Sequence, residues 1–140
     1  MGNSQSTQKI SFEDIQFVLK KEESCILINT LKESEQDCLI KGTININKEI
    51  EVINKCIKQS SKHIKIIIYG KNSNDEKIYE KLQQLTSLGF YNIFIYTGGL
   101  FEWLLLQDIY GSIDFPTTKK ELDILRFKPN KVLNIPLLEY

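Results

Sequence analysis

The sequence predicts an α/β domain with a mostly parallel central sheet covered by helices on both faces. Three observations carry this. Short, continuous apolar runs at 25–28, 64–69 and 93–96 read as strands buried on both faces, as parallel strands are. Amphipathic stretches with helical spacing lie between them, which is the alternation that builds crossover units. The chain has 140 residues, 41% hydrophobic and 26% charged, enough to bury one core without disulfides or metal and too little for two.

Ser11 precedes Phe12, Ile15, Val18 and Leu19 at helical spacing, with Asp14 three residues after the cap, so a helix is expected over 11–21. Cys25 to Ile28 reads as a buried strand, and Asn29 to Asp37 as a polar loop. Leu39 to Ile46 suggests a turn and a brief alternating strand. Glu49 to Ser60 is a second helix with Ile50, Ile53 and Ile57 on one stripe. Ile64 to Tyr69, with three consecutive isoleucines, is the expected centre of the sheet. After a loop from Gly70 to Asn74, Ser73 and Glu76 have capping-box spacing ahead of Ile78, Leu82, Leu85 and Leu88, and Gly89 ends that helix. Ile93 to Tyr96 is a fourth strand, Thr97 to Gly99 a tight turn, and a last helix begins over Leu100 to Gln107.

Residues 1–9 are polar and read as a flexible segment, 10–111 as the domain, and 112–140 as a C-terminal extension that holds all three prolines. The apolar end of that extension, from Val132 to Leu138, is expected to wrap back over the domain or to meet a partner. Met1, Gly2 and Ser6 fit an N-myristoylation signal; an acyl group on Gly2 and a plain polar terminus both stay open.

Charge narrows the function classes. Formal net charge is zero with the signs interleaved, and Arg126 is the only arginine, so no basic face for nucleic acid is expected. The three cysteines, Cys25, Cys38 and Cys56, lack the paired spacing of a zinc site and fit a reducing compartment. No apolar run reaches the roughly 20 residues of a membrane span. The expectation is an intracellular, cytoplasmic protein without metal or cofactor, peripheral to a membrane where Gly2 carries lipid.

The stretch from Ile64 to Trp103 resembles the second half of a rhodanese domain. The matching residues are Ile66 to Tyr69 ahead of the loop, then Leu88, Gly89 and Phe90, the strand to Tyr96, Gly98 and Gly99, and Trp103 four residues on. The first half is similar as well, with Leu39 to Ile46 in place of a His-Ile-Pro-Gly-Ala-Ile-Asn-Ile segment, so that the likeness covers about residues 10–111. It implies the rhodanese-like fold and, in a working member, sulfur transfer through a thiolate at the strand end, held in a loop of the form Cys-x-x-Gly-x-Arg. Backbone NH groups and a helix N-terminus lower the pKa of such a thiol and hold an anion.

This chain departs from that pattern in four places. Gly70, Lys71, Asn72, Ser73, Asn74 and Asp75 form the loop, so glycine stands at the nucleophile position and an acid where the family has arginine. The Asp-x-Arg after the second buried strand is Asn29, Thr30 and Leu31 here, and Leu39 replaces the histidine. The expected function is therefore a non-catalytic interaction or scaffolding module with a protein partner, tethered to a membrane surface where Gly2 is acylated. Two alternatives stay open. One is an enzyme of the same fold, a sulfurtransferase or phosphatase-like hydrolase, using Cys38, Cys56 or Ser73. The other is a structural component docked through its tail from Asp114 onward. Weak anion binding at the Gly70 loop is expected at best, because Asp75 and Glu76 oppose it. Ser73 reads better as a cap than as a nucleophile, since His63, the only histidine, stands before the strand.

Overall fold

The computed structural model describes residues 7–21 and 24–133. Gly2 and Ser6 lie outside the described residues, as do residues 134–140. In chain order the elements are β1 (Gln8–Ile10), α1 (Phe12–Lys21), β2 (Cys25–Asn29), α2 (Ile46–Lys58), β3 (Lys65–Tyr69), α3 (Lys77–Ser87), β4 (Ile93–Tyr96) and α4 (Gly99–Tyr110), with short 3-10 turns at Glu33–Glu35 and Ile124–Phe127.

The four strands form one parallel sheet in the order β1-β4-β3-β2, with Tyr69 opposite both Asn29 and Tyr96. Period-two alternation divides the strand side chains between two cores. Ile26, Ile28, Ile66, Ile68, Ile93 and Ile95 pack with Ile53 and Cys56 of α2 and with Ile78 and Leu85 of α3. Leu27, Ile67, Tyr69 and Tyr96 pack on the opposite side with Ile15 of α1 and with Leu100, Trp103 and Leu104 of α4. The α/β class, the parallel sheet and the inner position of β3 are as the sequence predicts.

Four local differences have identifiable causes. Gln8–Ile10 is a strand although the segment through residue 9 was expected to be unstructured; three residues carry too little pattern to announce an edge strand, and the pairing with Phe94 to Tyr96 creates it. The anticipated strand over 43–46 is reduced to an isolated bridge between Thr43 and Leu27, because Asn45 Oδ1 accepts a hydrogen bond from Asn47 N and starts α2 three residues earlier. Ile50 is 74% exposed: the inward face of α2 is centred between Ile53 and Cys56, so that Glu49 turns in to pair with Lys81 while Ile50 turns out. Leu88, taken as part of the α3 stripe, is likewise exposed.

The segment after α4, read from the sequence as a C-terminal extension, packs onto the domain through Phe115 and Phe127. Phe115 stacks edge-on against Trp103 with ring centroids 5.0 Å apart, and Trp103 Nε1 donates to Pro116 O at 3.1 Å. Thr117 bridges Ile40, Thr118 bonds both backbone groups of Leu39, and Phe127 is fully buried in the α1–α4 core. The wrap adds Phe115 and Phe127 to the aromatic core that Tyr69, Tyr96 and Trp103 form on the α4 side of the sheet. Phe127→Ala should therefore behave as a core truncation, costing about 3–5 kcal/mol in urea unfolding. A loss under about 1 kcal/mol, the scale of a surface change, would show that the wrap is not part of the folding unit.

Candidate functional site

The loop after β3 lies at the C-terminal edge of a parallel sheet, where ligands of open α/β folds bind. Tyr69 sets its start. The phenol is fully buried, accepts from Ile40 N at 3.2 Å and shares a 2.7 Å hydrogen bond with Thr43 Oγ1, so the strand end and the 39–43 turn hold one another. Burial pushes the Tyr69 hydroxyl well above its ordinary pKa, with Thr43 and Ile40 opposing.

From there the chain lies on the N-terminus of α4: Leu100 N donates to Gly70 O and Phe101 N to Lys71 O, both at 2.9 Å. This close approach requires Gly99, whose φ is +69° and where a Cβ would sit 2.9 Å from backbone atoms of Gly70 and Asn72. Gly98, its neighbour in the turn, has φ −66° and needs no such freedom. The free NH groups of α4 are thus spent on the loop's own carbonyls.

Asp75 fills the middle of the loop. Its Oδ2 accepts from Lys71 N at 3.1 Å and from Thr30 Oγ1 at 2.9 Å, and its Oδ1 accepts from Lys77 N at 3.0 Å. A Cβ built on Gly70 would lie 2.5 Å from Asp75 Oδ2 and 2.8 Å from Asp75 Cβ, closer than atoms can pack. The carboxylate therefore occupies the space above residue 70 and takes up donors from three segments: the β2 end, the loop itself and the first turn of α3. The bowl is filled by an anion belonging to the chain.

The other loop residues are committed to structure. Lys71 Nζ pairs with Glu35 Oε2 at 2.7 Å; burial raises the Glu35 carboxyl, but the ammonium leaves it below its ordinary pKa. Asn72 is buried, donates from Nδ2 to Phe127 O at 3.0 Å and accepts from Asn74 N, which ties the loop to the C-terminal wrap. Ser73 is exposed and makes no capping hydrogen bond; Asp75, two residues on, serves the helix start in its place, which corrects the capping-box reading. The loop floors an open cleft of about 840 Å³, walled by Lys32, Tyr79 and Val132 among others.

The remaining candidates are dispersed. Asn29 latches Leu31 N and Gln36, and Leu39 is buried under Thr118. Cys38 is buried with Sγ donating to Lys119 O, and burial pushes its thiol up, away from the reactive thiolate. Cys56 sits in the α2–α3 core. His63 precedes β3, at the opposite end of the strand from Gly70, and Arg126 pairs with Glu121 over the Phe127 ring. Among the described residues no group of three His, Cys, Asp or Glu side chains is placed to hold a metal ion, and no helix is long and apolar enough to cross a membrane. Phe127 belongs to no motif and Thr30 is only the middle residue of the segment that matches Asp-x-Arg; both reach the loop through tertiary contact alone.

Two consequences can be measured. Asp75→Ala should leave Lys71 N, Lys77 N and the Thr30 hydroxyl without their acceptor, at about 1–3 kcal/mol of stability. Millimolar sulfate should raise the Tm of that variant and leave the native protein unmoved. Equal sulfate response in both proteins would mean that the carboxylate does not close the bowl. Separately, Gly70→Ala should destabilise the native protein by about 1–3 kcal/mol as overpacking, and much less in an Asp75→Gly background, so that a double-mutant cycle reads a clear coupling.

A family model for the rhodanese-like domain matches residues 17–106. No curated protein matches the sequence at a significant level. Among solved structures, the Alr3790 protein from Anabaena sp. is 19% identical with TM-score 0.56, covering 84% of this chain and 97% of that one. The Saccharomyces cerevisiae single-domain sulfurtransferase RDL2 is 15% identical with TM-score 0.58, covering 78% and 98%. Saccharomyces cerevisiae Ygr203w, described as a homologue of single-domain rhodanese and of the Cdc25 phosphatase catalytic domain, is 11% identical with TM-score 0.61, covering 84% and 91%. At these identities the structural likeness speaks for the fold, and the family match over 17–106 speaks for descent: the chain belongs to the rhodanese-like domain family.

Proposed function

We propose that this protein is a non-catalytic rhodanese-like module that binds a protein partner and acts as a scaffold, tethered to a membrane through an acyl group on Gly2. One observation carries the first part: the carboxylate of Asp75 stands in the bowl where a sulfur-transferring relative would hold its reacting group, above a residue with no side chain. A persulfide needs a thiolate at the strand end and a neighbourhood that favours negative charge. Here the donors that would provide it already serve Asp75. Cys38 and Cys56 offer no substitute, since both are buried in the core, and burial pushes the Cys38 thiol up, away from the thiolate.

Docking by a partner is supported by the C-terminal wrap, on which Leu122, Leu125, Val132 and Leu133 are all exposed. A docking role for the whole tail from Asp114 is harder to separate from folding, because Phe115 and Phe127 belong to the core. The separable part begins after Phe127.

The purified protein should show no thiosulfate-to-cyanide transfer and no hydrolysis of p-nitrophenyl phosphate above buffer, and mass spectrometry should find no sulfane sulfur on its thiols. Turnover in either assay, lost on replacing Cys38, Cys56 or Ser73, would overturn the non-catalytic reading.

A further inference from the structure

Helix α4 carries large apolar side chains on an outward face as well as on its core face. Leu100, Trp103 and Leu104 face the core, while Leu105 and Ile109, one helical turn apart, face outward at 39% and 70% exposure. The outward character continues past the helix end: Tyr110 is 65% and Ile113 95% exposed. Three large apolar side chains within five residues, two of them isoleucines standing in solvent, make a cluster that a soluble surface has no use for. The nearby charges cancel. Lys20 and Lys41 lie with Ile113 and Asp114 around one shallow pocket, and Asp108 stands on the last turn of α4.

The position of this cluster in the fold indicates what covers it. The first turn of α4 is bonded to the Gly70 loop, at the C-terminal ends of the strands. Twelve residues of helix rise about 18 Å, which carries Tyr110 to the opposite pole, with Ile113 three residues further along the chain. Strand β1 runs parallel to β4 with Gln8 opposite Phe94 and Ile10 opposite Tyr96, so the chain enters the sheet from that same pole. The six residues ahead of Thr7 begin with the Gly2 and Ser6 signal and reach at most about 20 Å. An acyl chain on Gly2 is therefore tethered within reach of any bilayer that the cluster touches.

We propose that Ile109, Tyr110 and Ile113, with Leu105 behind them, form a bilayer-contact surface that acts together with an acyl group on Gly2. This rests on the tethering part of the functional reading and supplies what that part lacks. A single myristoyl chain holds a protein only marginally and reversibly, and a second attachment is needed for stable residence. Isoleucines entering the acyl boundary, with an amphipathic tyrosine at headgroup level, are a second attachment of the apolar kind. Because Lys20 and Lys41 are offset by Asp108 and Asp114, the contact draws little on anionic lipid. The surface also leaves the opposite pole, with its Gly70 cleft, facing away from the membrane.

The test uses the full chain co-expressed with an N-myristoyltransferase, with intact mass reading acylation first. Acylated native protein, acylated Ile109→Ser/Ile113→Ser, and Gly2→Ala are then sedimented with phosphatidylcholine vesicles, with and without phosphatidylserine. Both isoleucines are exposed, so the double variant should keep the native Tm. The proposal expects the acylated double variant to partition at least about tenfold more weakly than the acylated native protein, since exposing even part of two buried isoleucines is worth that much. It expects phosphatidylserine to change either value little, and Gly2→Ala to bind weakly. Equal partition of the two acylated proteins would overturn the contact surface while leaving the tether intact. Intact mass without the acyl group would remove the tether and this proposal with it. Lipid-free sedimentation showing a dimer that the isoleucine variant loses would instead assign the cluster to a second copy of the chain.

Discussion

One carboxylate organises the functional pole of this domain. Asp75 accepts three hydrogen bonds from Thr30, Lys71 and Lys77, and so joins the end of β2, the loop after β3 and the first turn of α3. Bonds to an ionised acceptor are about twice as strong as neutral ones, and three converging on one group leave it little freedom to turn away. The same group sets a steric condition. Residue 70 must be glycine for as long as Asp75 lies over it. A reactive side chain at 70 and a carboxylate at this position of the loop are mutually exclusive solutions for one small volume.

The rest of the pole follows from that exclusion. With its bowl filled from within, the loop has no need to stay open to solvent, and it is bound down on two further sides. Gly70 O and Lys71 O close the NH groups at the start of α4, and Asn72 reaches across to Phe127 O. The C-terminal segment is consequently more than an appendage. It covers Trp103 with Phe115, seals the 39–41 turn through Thr117 and Thr118, and fastens the loop through the backbone of a buried phenylalanine.

Much of this was legible in advance because it depends on local chemistry. The apolar runs at 25–28, 64–69 and 93–96 read as strands buried on both faces and are strands in the structure, and helical spacing marks α1 and α3. The resemblance to the rhodanese-like family rests on Gly98, Gly99 and Trp103, of which Gly99 answers to the close packing of the loop on α4 and Trp103 to the core beneath it. Less was legible where an element owes its existence to a distant partner. Strand β1 is three residues long and exists through β4; Ile50 faces solvent because α2 turns Ile53 and Cys56 inward; and Asp75 serves the helix start in place of Ser73.

The sequence by itself determined the α/β class, the order of β2, β3 and β4 with the helices between them, and the presence of Gly70 and Asp75 in the loop, since each is a matter of which residue stands where and of short-range periodicity. Only the tertiary structure decided that the acid at 75 turns inward over Gly70 instead of outward into water. The same holds for the wrap of 112–127 into the core and for the meeting of the apolar end of α4 with the pole where β1 begins. Those are relations between segments far apart in the chain, fixed by which donors remain unpaired and which volumes remain unfilled once the sheet has formed, and no local pattern encodes them.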